Sequence, residues 1–591
     1  MRHRQRPNSG RGDGGSGGRR LSERSAEFVA GLLFGGLVSS ASGAELKLDG
    51  ASLTPAALVA AAAAPVRPVI DEASWQRVRD ANAVLLAAAA QCQKIYGLTT
   101  GVGANKDQGE LGCDNLLGPD GQMSAEAMEI SRAFNTALLH AHGAGVDTAA
   151  PPELVRAAMI ARLNTALIGG SGKDEAAVRQ LAALLEHDIL PVIPERGSVG
   201  EADITLLAHV GLVMQGLWWA DHAGARKTGA EALADAGLEP VTLLGKDALA
   251  SFSSNAYSAA LAAQTLAKLR AVRAMLAPVY ALSLEALNGN VAPLMAEPAA
   301  LRPFPHIADA AAELRTALAG SYLFAPSDDR HLQDPLSYRT WIYQVGALDR
   351  ALEELDEILT IQLNGADDNP VVYVGEVSPM TAALPGLRVV DQPGLQGAVV
   401  PSASFSPLPQ AIALQTAAVA AVHVSEGIEN RTLVLMNPEM TGLPRFLAGP
   451  EAVHAFGAIH KPIGAVASEN RSLSTPTSQD FSSIALGIED MGTNAPRVAR
   501  RLSRIADNME SLLGFELLLA AQAIDLRRAR TPSLILSPAT EKLHAEYREY
   551  VPFLCGDTVV LSSLIEASTR FIEGHPAFPI PPVPCAHSPE N

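Results

Sequence analysis

Long segments rich in alanine and leucine, with apolar residues three or four positions apart, fill most of the chain from Glu45 onward. This spacing is that of α-helices with one apolar face, and helices of more than about 20 residues bury that face against one another in a bundle. Clusters of glycine and proline separate the segments, and strand-like alternation is rare and short. The sequence therefore predicts a mainly α protein built on a long-helix bundle, with a smaller mixed N-terminal region.

The same periodicity gives expected helix positions and domain limits. Helices are expected near 71–94, 125–143, 152–168, 174–187, 255–285, 308–320, 337–363, 407–433, 449–470 and 483–523. The expected divisions are an extension at 1–44, an N-terminal domain at 45–255, a central bundle domain at 256–540 and a C-terminal segment at 541–591.

Composition excludes several classes of partner. With 591 residues, 48% of them apolar, the chain can bury a large core. A formal net charge of -18 disfavours binding to nucleic acid or to an anionic membrane. No uninterrupted apolar run reaches the roughly 18 residues of a membrane-spanning helix.

The cysteines predict neither disulfides nor zinc. Cys92, Cys113, Cys555 and Cys585 are the four cysteines of the chain, and they form no Cys-x-x-Cys pair. Because such spacing is common in proteins of a reducing compartment, we expect free thiols and a cytoplasmic location.

The first 44 residues leave a second location open. Residues 1–20 are rich in Gly, Arg and Ser and should be disordered. The apolar stretch 28–38 and the small residues after it are typical of a signal peptide, and Arg19 and Arg20 favour that interpretation. Glu23 and Glu27, next to the apolar stretch, count against it. Export is therefore the alternative to a cytoplasmic location.

Several segments occur in an order that resembles the histidine/phenylalanine ammonia-lyase family, also called the aromatic amino acid lyases. In chain order they are Ile95-Tyr-Gly-Leu-Thr-Thr-Gly-Val-Gly103, Leu139-His-Ala-His-Gly143, Ile193-Pro-Glu-Arg-Gly-Ser-Val-Gly200, Leu207-Ala-His209, Gln333-Asp-Pro-Leu-Ser-Tyr-Arg339, Asn364-Gly-Ala-Asp-Asp-Asn-Pro370, Thr441-Gly-Leu-Pro444 and Ile488-Glu-Asp490. The resemblance spans roughly residues 46–538. It implies a fumarase-like helical bundle and a homotetramer whose active sites combine loops from three subunits.

The resemblance also implies roles for individual residues. Tyr96 corresponds to the family's catalytic base, which removes the β-proton of an amino acid and needs a lowered pKa to do so. His140 and Glu489 correspond to the residues that face the substrate ring, and their hydrogen-bonding groups suit an imidazole. Arg339, together with Asn364, would bind the substrate carboxylate through its planar guanidinium. No third ligand accompanies His140-x-His142, so we expect no metal.

Other positions of the site depart from the family pattern. The family's asparagine of the Leu-Ala-x-x-Asn-Gly segment is replaced by Ser253, and Asn255 follows two positions later. The family's Asn-Phe-His is Ser404-Phe405-Ser406 here. Ser253, Asn255 and Phe405 are therefore candidate substrate-binding residues, and the ring of Tyr338 is a candidate contact for a cation.

The most informative departure lies where the family builds its prosthetic group. The family's Ala-Ser-Gly cyclises and dehydrates to a methylidene-imidazolone, whereas this chain reads Gly197-Ser-Val-Gly-Glu-Ala-Asp-Ile204. The dehydration needs a serine, and the cyclisation needs a following glycine nitrogen. Neither stands at this place, so we predict that the group is absent and that the protein uses no cofactor.

A lyase without that electrophile needs a better leaving group than ammonia. A quaternary trimethylammonium leaves as a neutral tertiary amine, and Glu201 and Asp203 would attract its positive charge. This chemistry resembles that of ergothionase, the family branch that eliminates trimethylamine from ergothioneine to give thiourocanate. We therefore predict a carbon–nitrogen lyase that forms a urocanate-type acrylate from a histidine-like substrate. An ordinary histidine or aromatic amino acid ammonia-lyase and a non-catalytic family member are the alternatives.

Overall fold

The computed structural model describes residues 43–109, 111–119, 121–575 and 580. The disordered or signal-like extension predicted at 1–44 therefore lies almost wholly outside the described residues. From Gly43 onward the chain groups into one compact unit. The boundaries predicted near residues 255 and 540 lie inside this unit and stay predictions.

The architecture is dominated by α-helices, as predicted. In chain order they are α1 Pro55–Ala62, α2 Glu72–Ala90, α3 Ala125–His142, α4 Pro152–Ala166, α5 Glu175–Glu186, α6 Ile204–Met214, α7 Gly229–Asp235, α8 Asp247–Phe252, α9 Ala256–Leu287, α10 Ala296–Leu301, α11 Pro305–Ala317, α12 Leu336–Arg339, α13 Trp341–Leu363, α14 Pro379–Ala382, α15 Leu408–Leu435, α16 Pro438–Thr441, α17 His460–Leu473, α18 Ala495–Arg530, α19 Pro538–Arg548 and α20 Leu561–Ile572.

The strands are short and form small sheets around the bundle. They are β1 Ala44–Leu48, β2 Val66–Ile70, β3 Val146–Ala149, β4 Leu190–Pro191, β5 Pro194–Arg196, β6 Trp219–His222, β7 Ala225–Thr228, β8 Val371–Val374, β9 Val389–Gln392 and β10 Leu395–Val400. β1 and β2 pair in parallel, whereas β3–β5, β4–β6–β7 and β8–β10–β9 are antiparallel. Seven of these ten strands precede residue 256, which is the mixed N-terminal region of the prediction.

The long helices α9, α13, α15 and α18 pack together as the central bundle. Their buried faces consist mainly of Ala, Leu, Val and Ile. One ion pair interrupts this apolar core: Arg431 of α15 donates from Nε to Glu516 of α18 at 2.6 Å and from Nη2 at 2.8 Å. Both side chains are at most 1% exposed, so each charge depends on the other.

Two predicted helices have different limits in the structure. The helix expected at 449–470 begins only at His460, because the preceding segment turns through the positive-φ residues Phe446, Leu447 and Ala455. The helix expected at 483–523 begins at Ala495, after a loop in which Ala485 and Leu486 also have positive φ. Non-glycine residues pay a steric penalty in that conformation, and the sequence gives no sign of it.

The prediction of free cysteines is wrong. Cys92 and Cys113 form a disulfide across a sequence separation of 21 residues. Cys555 is disulfide-bonded as well, and the described residues contain no free cysteine. Sequence spacing missed the bond because Cys113 returns to the end of α2 through a long loop.

One helix also corrects the expectation about membrane spans. Among the described residues, Leu408–Leu435 is long and apolar enough to cross a membrane by length and composition. The prediction required an uninterrupted apolar run, and Gln and Thr residues interrupt the apolar residues of this helix. Since 67% of its most apolar window is buried inside the protein, the helix has the character of a bundle core.

Candidate active site

A cavity of about 340 Å³ lies between the glycine-rich loop after α2, helix α3 and the loop before α18. Its lining consists of Tyr96, Gly101, Val102, Gly103, Ala104, Asn105, Phe134, Leu138, Ala141, His142, Ile204, Leu249, Phe252, Ala485 and Glu489. Most of these residues are apolar, and Tyr96, Asn105, His142 and Glu489 supply the polar side chains. A concave, largely apolar site with a few polar groups is typical of small-molecule binding.

Tyr96 reaches this cavity because the loop after α2 is fastened at its base. Ile95 and Leu98 are buried, and the hydroxyl of Thr99 accepts a hydrogen bond from the amide of Ile95 at 2.8 Å. Gly97 has φ 74° and lies so close to Leu249 that a Cβ would stand 2.3 Å from its methyl carbon. The turn therefore requires glycine at this position.

The environment of Tyr96 opposes its ionisation in the isolated chain. Burial raises the pKa of Tyr96 above its ordinary value, and the negative charge of Glu489 raises it further. The amide of Gly103 donates to the tyrosine hydroxyl at 2.7 Å and lowers this pKa. The lowered pKa that a catalytic base needs therefore requires a further positive charge or hydrogen bond near the hydroxyl.

His142, and not His140, lines the cavity. His140 lies on the exposed side of α3. The ring of His142 stacks on Phe252 with centroids 4.9 Å apart, and its Nδ1 lies 2.8 Å from the carbonyl oxygen of Leu138. That contact orients the ring. Helix register could have identified His142 from the sequence. Asn135 and Leu138 lie on the buried face of α3, and position 142, seven residues after Asn135, lies on the same face.

Glu201 stands on a tightly held turn directly before α6, whose first residue, Ile204, lines the cavity. Ala202 has φ 61°, and its amide donates to the carbonyl oxygen of Phe405 at 3.2 Å. The half-buried carboxylate of Glu201 accepts a hydrogen bond from Ser406 Oγ at 3.3 Å. Burial raises the pKa of Glu201 to about 7, although the Ser406 contact lowers it.

Asp203, which was predicted to attract the substrate's positive charge, is instead used in hydrogen bonds within the protein. Its side chain is fully buried, and its carboxylate accepts hydrogen bonds from Ser198 Oγ at 2.7 Å, Ser258 Oγ at 2.6 Å and the amide of Ser258 at 2.7 Å. Burial raises the pKa of Asp203 while these contacts lower it. A carboxylate used in this way fixes the turn next to Glu201, and it does not line the cavity.

Asn255, Ser253 and Phe405 lie around the same turn. The side-chain amide of Asn255 donates from Nδ2 to the Phe405 carbonyl at 2.6 Å, and in the described chain its buried Oδ1 has no hydrogen-bond partner. Ser253 is only 5% exposed and follows the cavity-lining Phe252. The backbone amide of Asn255 is held by Asp367 Oδ2 at 2.7 Å, which anchors the turn to the buried charges below it.

Three predicted substrate-binding residues lie elsewhere in the single chain. Tyr338 is 1% exposed, and its hydroxyl lies 3.0 Å from Ser283 Oγ in the bundle core. Asn364 uses its amide to bind the backbone of Leu53, accepting at 3.0 Å and donating at 2.7 Å. The Nε of Arg339 donates to the carbonyl of Asp334 at 2.7 Å. None of the three lines the cavity of Tyr96.

The residues present do not fit a methylidene-imidazolone. The turn that would carry it reads Gly200-Glu201-Ala202-Asp203 and contains no serine to dehydrate. Ser198, the nearest serine before it, donates its hydroxyl to Asp203. The absence of the group stays a prediction. As for metals, the described residues contain no group of three or more His, Cys, Asp or Glu side chains that would hold an ion.

Comparisons with known proteins identify the family of this chain. The family described as aromatic amino acid lyase matches residues 53–549. Histidine ammonia-lyase of Anaeromyxobacter dehalogenans is 34% identical, over 89% of this chain and 98% of its own. Histidine ammonia-lyase of Chloroflexus aurantiacus is 32% identical, over 87% of this chain and 94% of its own.

Solved structures extend the likeness to the fold. The ergothioneine-degrading enzyme ergothionase from Treponema denticola, in complex with desmethyl-ergothioneine sulfonic acid, superposes with a TM-score of 0.79. It is 32% identical, and the match covers 90% of this chain and 99% of that one. Histidine ammonia-lyase from Trypanosoma cruzi matches with a TM-score of 0.74 at 25% identity, covering 90% of this chain and 94% of that one.

The fold and these relatives define a carbon–nitrogen lyase. The chain belongs to the aromatic amino acid lyase family, and within that family it is ergothionase-like.

Proposed function

We propose that this lyase eliminates a tertiary amine, such as trimethylamine, from a betaine of histidine type and forms a urocanate-type acrylate without a methylidene-imidazolone. The observation that carries the proposal is Glu201. It places a carboxylate where the family builds its electrophile, on a turn next to the tyrosine cavity. A carboxylate attracts a permanent cation and has no electrophilic centre for an amine to attack.

The charge of such a substrate would also prepare the base. Tyr96 has a raised pKa in the isolated chain, from burial and from Glu489. A quaternary ammonium cannot lose its charge by deprotonation, so it lowers the pKa of a neighbouring tyrosine at every pH. Tyr96 would then take the β-proton while the carbon–nitrogen bond breaks and the amine leaves as a neutral molecule.

The remaining substrate groups have partners of suitable chemistry. His142 and Glu489 border the cavity and suit the two nitrogens of an imidazole-type ring, one as donor or acceptor and the other as acceptor. Arg339 is partly exposed and lies away from the cavity of its own chain. We propose that it binds the substrate carboxylate in the site of a neighbouring subunit.

A homotetramer would bring these parts together. The bundle helix α15 leaves Leu408, Ile412, Val419 and Leu433 exposed, although each is apolar. Their separations of 4, 7 and 14 residues place them along one face of the helix. An apolar stripe of this kind favours packing against another copy of the chain.

Ordinary ammonia release is the second candidate, because relatives over 30% identical are histidine ammonia-lyases. Purified protein incubated in parallel with ergothioneine, trimethylhistidine and histidine separates the two. We expect absorbance of the conjugated acrylate and release of trimethylamine from a betaine only. Ammonia and urocanate from histidine, or activity abolished by borohydride, would reject the proposal, since reduction destroys the family's electrophile. No product from any of the three would favour a non-catalytic family member.

Glu201→Gln should raise the KM for the betaine by at least about tenfold, equivalent to about 1.4 kcal/mol. The amide keeps the shape of the side chain and removes its charge. With a pKa of about 7, Glu201 is ionised above that pH, so the wild-type KM should fall as pH rises through 7. The variant should lack this fall. Glu186→Gln, on the exposed surface of α5, is the matched control and should leave KM unchanged. An unaltered KM in Glu201→Gln would show that the carboxylate does not contact the cation.

A further inference from the structure

The Cys92–Cys113 disulfide encloses the whole of the catalytic loop. Cys92 stands two residues beyond the end of α2, and Cys113 lies 21 residues later. Between them lie Tyr96 and the cavity-lining residues 101–105. One covalent bond thus closes a ring around the proposed base and the loop that contacts it.

The two limbs of this ring are held very differently. The first limb is fixed by packing, since Ile95, Leu98 and Thr100 are at most 5% exposed. The second limb, residues 104–109, is exposed and ends in Gly109, and Gly101, Gly103 and Gly112 flank it. Its described backbone hydrogen bonds stay within the loop, such as that from Gly101 to the carbonyl of Gln108 at 3.0 Å, and outside the loop residues 103–105 contact the segment 485–487. A glycine-rich exposed segment has much conformational entropy to lose.

The group that contacts the base lies directly before the exposed limb. Gly103 donates its amide to the Tyr96 hydroxyl at 2.7 Å. The position of this amide depends on where the second limb returns to the body of the protein. Buried Leu111 and the bond at Cys113 make that return, and the bond fixes it to the end of α2.

We propose that Cys92 and Cys113 are positioning residues for the lyase reaction: their disulfide holds the amide of Gly103 against the hydroxyl of Tyr96, and the chain is fully active only when the bond is formed. The inference rests on the proposed function for its kinetic consequence. Its structural consequence, a restrained loop, is independent of that function.

The bond forms by exchange with a disulfide-bearing oxidant, such as a thiol–disulfide oxidoreductase. The thiolate of one cysteine attacks the oxidant's disulfide and forms a mixed disulfide. The second thiolate then displaces the oxidant, which leaves as a dithiol after taking up two electrons and two protons. Cys92 is exposed, so the oxidant and reducing agents have access to the bond.

Loss of the bond should be visible in the pH dependence of the reaction. The Gly103 amide lowers the pKa of Tyr96, so a displaced loop leaves this pKa higher. The other titratable groups that border the cavity are Glu489 before α18 and His142 on α3. On the loop itself, Lys106 and Asp107 are paired with each other. None of these groups is changed by removing the cysteines.

The first test compares the full-length wild type with the double variant Cys92→Ser/Cys113→Ser on the betaine substrate. We expect kcat to fall by about tenfold to a hundredfold with KM nearly unchanged, as for a misplaced catalytic group. The acid limb of the kcat/KM profile should move to higher pH. Cys555→Ser also removes a disulfide and should leave the profile unchanged. A double variant with the wild-type profile would overturn the proposal.

The second test needs no turnover and no variant. Hydrogen–deuterium exchange of residues 101–109 is measured in wild-type protein with and without a reducing agent. Faster exchange after reduction is expected in this segment and not in the central bundle. Equal exchange would overturn the proposal even if the enzyme is active. Faster exchange in a protein that turns over no betaine would reject the proposed function and leave the loop restraint standing.

Discussion

Tyr96→Phe should lower kcat for the betaine by about 10²–10⁴-fold, the range expected when a general base is removed. Phenylalanine keeps the ring that packs in the cavity and deletes the hydroxyl that accepts the Gly103 amide. Since the ring remains, substrate affinity should change little, and the loss should appear in kcat rather than in KM. Steady-state kinetics on purified variant and wild type measure both constants.

A second tyrosine provides the control for this substitution. Tyr373 on β8 is 53% exposed and does not border the cavity, so Tyr373→Phe should keep wild-type kinetics. Equilibrium binding of a substrate analogue to Tyr96→Phe separates loss of chemistry from loss of the site. A variant that keeps more than a tenth of the wild-type kcat would mean that another group removes the proton.

Glu516→Gln should lower the free energy of unfolding by about 3–5 kcal/mol, because it leaves the charge of Arg431 buried without a counter-ion. Arg431 is 1% exposed, and its guanidinium binds both carboxylate oxygens of Glu516. Its other described contacts are a hydrogen bond to the carbonyl of Ser337 at 3.1 Å and the rings of Tyr280 and Tyr338, whose centroids lie 5.2 and 5.9 Å from the guanidinium carbon; none of these groups is a counter-ion. Urea unfolding followed by far-ultraviolet circular dichroism would report the loss as a lower midpoint.

Two controls distinguish the effect of leaving a buried charge unpaired from the effect of removing any carboxylate. Glu129→Gln breaks the pair between Glu129, 68% exposed, and Arg132, 50% exposed, and should leave the unfolding midpoint nearly unchanged because water screens both charges. The double variant Arg431→Met/Glu516→Leu removes both buried charges and should recover most of the lost stability. Equal midpoints for Glu516→Gln and Glu129→Gln would show that water reaches the buried pair.

The sequence predicted the helices well where local periodicity decides the structure. The helix predicted at 255–285 is α9, Ala256–Leu287, and the one predicted at 407–433 is α15, Leu408–Leu435. Periodicity failed where the backbone adopts positive φ at ordinary residues such as Leu486, because tertiary contacts fix those turns. The loop that carries Glu489 was for this reason predicted as helix.

The candidate site was predicted in part. Short motifs identify which residue types are present, but they do not show which way each side chain points. Tyr96 and Glu489 border one cavity, whereas His140 points away from it and His142 takes its place. Asn364 and Asp203 were assigned to substrate from motifs, yet their side chains are used by hydrogen bonds within the chain. Arg339 was predicted from its motif to bind the substrate carboxylate, and it lies outside the cavity of its own chain.

The cysteines were misjudged because disulfides depend on three-dimensional proximity. The cytoplasmic prediction relied on free thiols, and the Cys92–Cys113 bond removes that support. Export through the signal-like segment at 28–38 gains weight accordingly, and both locations stay predictions. Fractionation of the producing cells with an antibody to the mature chain would distinguish them.

The turn at Glu201 has a consequence for how such enzymes change over evolution. Three residues around position 201 are each held by a different part of the protein: Val199 by the amide of Asn494 at 2.8 Å, Ala202 by the carbonyl of Phe405 and Asp203 by Ser258. The backbone is thus held independently of the side chain at 201. A substitution at position 201 can therefore change the charge presented beside the cavity while the turn that carries it keeps its backbone course.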